Sequence, residues 1–161
     1  MAVGFPRYDG PMPAYDAALD RACLEEQALI LIANREYGIT VPAGKENVVS
    51  YGMALYKGNL RRIIDYINNG ADPHLGRDLP LHVAASKGHL AFFRFLHQER
   101  GADLNSVDGC ALRMAAFFGH RDIVEYLIDN RAIVGINDAI RQARQRGFEN
   151  IALLLTGARD A

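Results

Sequence analysis

The chain has 161 residues, 50% of them apolar and 23% charged, and a formal net charge of −1. That length supports one domain with a real hydrophobic core, and the balance excludes a disordered or fibrous chain. A charge so near zero gives the whole chain no electrostatic reason to seek nucleic acid or an anionic membrane.

Residues 1–14 contain three prolines and two glycines without periodicity, which predicts an irregular or mobile arm. The start, Met1 to Arg7, has no apolar stretch of the secretory kind. The longest apolar run, Ala28 to Ala33, is too short to span a bilayer. A cytoplasmic location without membrane contact is therefore expected. Residues 15–44 read as a helix and linker. From Asp16 to about Glu36, Leu19, Cys23, Gln27 and Ile30 recur on one helical stripe, with Leu24, Ala28, Leu31 and Ile32 beside it. This helix is expected to cap the apolar edge of the domain C-terminal to it; the alternative is a helix that binds a partner. Tyr37-Gly38 ends it, and Val41-Pro42-Ala43-Gly44 reads as the linker.

Residues 45–157 carry an internal repeat. Leu79-Pro80-Leu81-His82-Val83-Ala84-Ala85-Ser86-Lys87-Gly88-His89 precedes a helix-period run with Leu90, Phe92, Phe93, Phe95 and Leu96, closed by Gly101-Ala102-Asp103-Leu104-Asn105. Pro80 suits a first helical turn, where its missing N–H costs nothing. Ala84 and Ala85 allow two helices to approach closely. Gly88 and Gly101 supply left-handed positions at helix ends. The next unit runs from Ala111 through Arg113, Ala115, Ala116, Phe117 and Phe118 to Gly119-His120, then Ile123, Val124, Tyr126, Leu127 and Ile128. Weaker copies run from Met53 to Pro73 and from Ala139 to Leu155. The turn glycines Gly58, Gly88, Gly119 and Gly147 lie 30, 31 and 28 residues apart.

This pattern resembles the ankyrin repeat, with its T-P-L-H-x-A-A-x-x-G-H run, second helix and G-A-D-x-N close. Leu79 replaces the family's Thr, Arg113 its His, and Arg131 its terminal Gly. Family units usually run to about 33 residues, so the connections here are trimmed. The resemblance implies an all-α fold, a short ankyrin-repeat solenoid. It would have about four helix-turn-helix repeats, degenerate at both ends as terminal repeats tend to be, and an extra N-terminal capping helix.

Catalytic chemistry is not expected. No metalloprotease, nucleophile-elbow or phosphate-loop pattern occurs. Cys23 and Cys110 are far apart and outside any zinc-ligand spacing, so both read as small packed side chains. His82, His89 and His120 fall at the family's histidine positions and imply turn-ordering roles; His74 and His97 read as ordinary surface residues. No cofactor and no metal is expected.

The resemblance implies instead a protein-binding module, an adaptor or inhibitor. Its first helices and turns would line a concave face, with the two residues before each turn glycine looking into it. Those are Tyr56 and Lys57, Ser86 and Lys87, Phe117 and Phe118, Gln145 and Arg146. Phe117 and Phe118 are about 100° apart on one helix, so one is expected to turn inward between repeats and the other to face the groove. Basic residues flanking the aromatics favour a protein partner that is acidic at the contact. The alternative is nucleic-acid or nucleotide binding through Arg141, Arg144 and Arg146.

Overall fold

Every helix-to-helix turn inside a repeat is built in the same way. A backbone N–H reaches back five residues to an alanine carbonyl: Asn59 to Ala54, His89 to Ala84, His120 to Ala115 and Phe148 to Ala143, all at 2.8–3.1 Å. The glycine just before each donor takes a left-handed φ, between 67° and 81° at Gly58, Gly88, Gly119 and Gly147. This is the hydrogen-bonded helix stop that glycine supports best, because it has no Cβ to clash. The following residue begins the next helix. Asn59 and His89 do so with side-chain acceptors, taking the N–H of Arg62 and of Phe92.

The computed structural model of the protein describes residues 4–24 and 46–161, and the regular structure among them is entirely helical. They form two compact units, Met1–Asp72 and Pro73–Ala161. The first unit contains a helical stretch over residues 17–24, then α1 (Glu46–Lys57) and α2 (Leu60–Asn68). The rest of the expected N-terminal helix beyond Leu24, and the expected linker Val41–Gly44, lie outside the described residues.

In the first unit the arm is irregular, as expected over residues 4–14, but it is tied down and not free. Tyr8 is buried. Its N–H donates to Asn68 Oδ1 at 2.7 Å, and Asn68 Nδ2 donates back to its carbonyl at 2.9 Å. The Tyr8 hydroxyl donates to the Pro11 carbonyl at 2.7 Å, and burial pushes it above the usual phenol range. Backbone that is paired and buried this way has an ordered position whatever its secondary structure. The stretch 17–24 meets α2 through an Asp20–Arg62 ion pair and through buried Cys23, which lies 3.8 Å from Asn59 Nδ2. The Arg62 guanidinium holds the Asp20 carboxyl below its ordinary range. Leu24, beside the expected buried stripe, is 49% exposed.

The second unit is a short solenoid of three helix pairs: α3 (Leu75–Lys87) with α4 (Leu90–Gln98), α5 (Ser106–Phe118) with α6 (Arg121–Asp129), and α7 (Ile136–Gln145) with α8 (Glu149–Asp160). The first helices lie side by side in the order α3, α5, α7, and the second helices follow the same order. Ala84, Ala85, Ala115, Ala116 and Ala143 are fully buried where the first helices meet, so their small size sets the close approach. Phe92, Phe93, Leu96, Ile123, Leu127, Ile151 and Leu155 fill the space between layers.

The trimmed connections have a geometry of their own. Gly76, Arg77 and Asp78 all take left-handed φ and ψ, and so do Val107, Asp108 and Gly109. Each trio makes about one turn of left-handed helix that reverses the chain in few residues. The regular part of α3 therefore begins near Leu79, with Pro80 in its first turn, and that of α5 near Cys110. A left-handed φ costs L-residues about 1–2 kcal/mol each, so neighbouring contacts must hold these turns. Asp78 is 7% exposed; it accepts His74 Nδ1–H at 2.6 Å and the Asp103 N–H at 3.2 Å from the next connection. Asn105 accepts the Val134 N–H at 3.4 Å in the same manner. Arg131, standing where the repeat usually has glycine, takes φ 56°.

Candidate functional site

The C-terminal ends of the first helices carry the side chains singled out by the repeat register. In the first unit Tyr56 is 79% exposed, and the Lys57 ammonium lies 5.6 Å from its ring centroid. In the second unit Ser86, Lys87, Phe117, Phe118, Gln145 and Arg146 come together along one edge of the solenoid. Ser86 turns its hydroxyl back to the Val83 carbonyl at 2.9 Å, and Lys87 is exposed. Gln145 and Arg146 are exposed as well.

Contacts between successive turns link these positions. The His120 ring packs over Gly88, where any Cβ would overlap it, and its Nε2–H donates to the Ser86 carbonyl at 2.9 Å. Phe118 stacks against His120 with centroids 6.4 Å apart and meets Phe117 edge to face at 4.9 Å. The Arg146 guanidinium, from the following repeat, sits 4.6 Å from the Phe117 ring centroid. Such a contact adds about 0.5–2 kcal/mol depending on how dry it is.

The expectation that one phenylalanine turns inward between repeats does not hold. Phe118 is 44% exposed and Phe117 is half-buried beneath Arg146, so neither joins the core. The next turn repeats the pattern, with the Phe148 ring packed onto Gly119 as His120 is onto Gly88.

The histidines divide as expected, with one exception. His82 is buried with Nε2 2.9 Å from Ser106 Oγ of the next repeat, and burial holds it below the usual imidazole range. His74 is exposed and pairs with Asp78. His97, read as an ordinary surface residue, is half-buried: its Nδ1 bonds the Tyr126 hydroxyl at 2.7 Å, while Arg94 lies 5.1 Å from the same ring. That cluster joins α4 to α6 and depends on pairing residues 29 apart, which no local pattern shows.

Two of the three C-terminal arginines have carboxylate partners. Arg141 pairs with Asp138 at 2.7 Å, Arg144 approaches Glu149 at 3.9 Å, and Arg146 is over Phe117. Among the described residues no group of three or more His, Cys, Asp or Glu side chains could hold a metal ion. None of the described helices is long and apolar enough to cross a membrane. The first unit also has a cleft of about 370 Å³ lined by Tyr15, Asp20, Arg61, Arg62, Asp65, Tyr66 and Asn69, which the sequence did not suggest. Its two arginines are committed, Arg62 to Asp20 and Arg61 to the Pro13 carbonyl.

A family model described as ankyrin repeats, in three copies, matches residues 52–138, more than half of the chain. The chain belongs to the ankyrin-repeat family. No curated protein matches it. Ankyrin repeats generally mediate protein–protein interaction, and proteins built from them are typically non-enzymatic binding modules. The fold is that of a short ankyrin solenoid, all-α and with a helical segment ahead of the first repeat.

Proposed function

We propose that the protein acts as an adaptor or inhibitor, without catalysis of its own, by holding a protein partner against the ends of its first helices. The observation that carries this reading is the exposed Phe118 beside half-buried Phe117 under Arg146. A large ring offered to solvent on a rigid support is what an interface anchor uses, since it buries much area at low entropy cost. Elsewhere the second unit exposes Leu153 on α8, 61%, and the smaller Val107 and Val134 in its connections, 37% and 47%, none of them an aromatic ring. Isolated exposure of that kind is ordinary. A cytoplasmic setting agrees with two free cysteines and no disulfide among the described residues.

Site-specific photo-crosslinking tests the proposal. A benzophenone side chain placed at Phe118 should capture one protein species from host extract, and the same group at Leu153 should not. Equal capture from both positions, or none from Phe118, would remove this face as the binding surface.

A further inference from the structure

The edge that carries Phe118 also presents two exposed cations, one on either side of the ring. Arg121 pairs with Glu125 at 2.7 Å, Arg141 with Asp138 at 2.7 Å, Arg144 with Glu149 at 3.9 Å and Arg159 with Asp160 at 2.8 Å. Lys87 and Arg146 have no such pair among the described residues, and neither do Arg77, Arg94, Arg113 and Arg131, but only Lys87 and Arg146 flank the aromatic pair. Among the described residues no carboxylate lies within ion-pair distance of either, although both are exposed. They occupy the same repeat position, one residue before the turn glycine at the ends of α3 and α7, one repeat to either side of the Phe117–Phe118 pair on α5.

We propose that this edge takes an extended acidic peptide segment of the partner, with one large apolar side chain set against Phe118 between two carboxylates. This rests on the reading of the face as protein-binding and adds the chemistry of the segment bound. The spacing comes from the repeats. Packed helices lie about 8–10 Å apart, so two steps from α3 to α7 span about 16–20 Å. An extended chain covers that in about five or six residues at 3.3 Å each. Each carboxylate then falls about three positions from the apolar anchor, one over Lys87 and one over Arg146. A helical segment needs about 11–13 residues for the same span at 1.5 Å each, and positions about five or six apart on it point to roughly opposite faces, so anchor and charges could not all meet this edge.

The rings argue against a nucleic-acid strand at this edge. Base stacking needs an open aromatic face. Here the guanidinium of Arg146 lies over Phe117, His120 stacks on Phe118, and the two phenylalanines meet edge to face. Two such cations are also few for a phosphate backbone, which binds by neutralising several charges at once.

Selection from a random twelve-residue peptide library on the immobilised full-length protein tests this, beside the double variant Lys87→Glu, Arg146→Glu. Peptides enriched on the wild type should carry an apolar residue with Asp or Glu about three places to each side. Those enriched on the charge-reversed protein should carry Lys or Arg there. Fluorescence anisotropy with a labelled wild-type-selected peptide should show binding at least about tenfold weaker for the double variant at low salt, as lost electrostatic steering predicts. Enrichment with no acidic bias, a bias unchanged by the reversal, or no enrichment at all would overturn the acidic-segment proposal. So would displacement of the selected peptide by a twenty-residue oligothymidylate. The crosslinking at Phe118 tells the two failures apart: if it still captures a protein, the binding face stands and only the chemistry of the segment is wrong.

Discussion

Gly109→Ala should be among the most damaging single-methyl additions in the second unit. Gly109 is buried at φ +70°, and a Cβ built on it would fall well inside van der Waals contact of the Val134 carbonyl oxygen. Two costs add. Holding alanine in the left-handed region costs about 1–2 kcal/mol. The overlap is with backbone, which cannot swing aside like a flexible side chain, and forced overpacking costs about 1–3 kcal/mol more. The sum, about 2–5 kcal/mol, is a large share of an ordinary domain's stability of about 5–15 kcal/mol. Gly101→Ala separates the two terms, because Gly101 has nearly the same φ, +71°, with no atom within 4 Å of an added Cβ. Urea unfolding followed by circular dichroism measures both. With a slope of about 2 kcal/mol per molar, the Gly109 midpoint should fall about 0.5–1.5 M below that of Gly101→Ala. The same variant should also weaken partner binding, since this turn sets the distance between α5 and α7 and so the seat of Arg146 on Phe117. Equal midpoints for the two variants would mean that the left-handed turns are not held rigidly against each other.

Phe118→Ala should change the unfolding free energy by no more than about 0.5 kcal/mol, whereas Phe93→Ala, fully buried on α4, should cost about 3–5 kcal/mol; comparable losses would place Phe118 in the core after all. Asp78→Asn keeps an acceptor for the Asp103 N–H and tolerates left-handed φ, so it should be nearly neutral. Asp78→Ala should cost about 1–3 kcal/mol through the N–H left unpaired, and equal effects in calorimetry would refute that role. His82 is held below its ordinary value chiefly by burial, with Arg113 acting the same way and Asp78 opposing. The unfolded chain therefore takes up a proton first, near pH ~6.5, so stability is full above that pH and falls as pH drops toward the lower folded value. His82→Gln should flatten this part of the stability–pH curve, and an unchanged slope between about pH 7.5 and 5 would dismiss the idea. Asn68→Ala removes both hydrogen bonds to Tyr8 and should speed tryptic cleavage after Arg7, with gel band intensities as the measure; an unchanged rate would show that other contacts hold the arm.

The repeat, its helices and its turns were legible in the sequence because they depend on neighbours along the chain. A glycine after an alanine-rich helix, followed by a residue that starts the next helix, specifies a stop, a reversal and a start within about three positions, and all four such turns form in the same way. The residues before each glycine could be named as surface candidates for the same reason. Other features depended on residues brought together from different repeats. Phe117 is half-buried beneath Arg146, 29 positions further along the chain, while Phe118 stays exposed beside it. His97 stopped being a surface residue through Tyr126, and the N-terminal arm is tied down through partners such as Asn68 and Arg61, far along the chain. Composition showed a surplus of arginine near the C-terminus, but which arginines remain without a carboxylate was decided by packing, since Asp138 and Glu149 reach Arg141 and Arg144 and leave Arg146 to the aromatic ring. Local pattern determines where helices begin and end; the pairing of side chains across repeats is decided only when the helices stack, because its partners are close in space and distant in sequence.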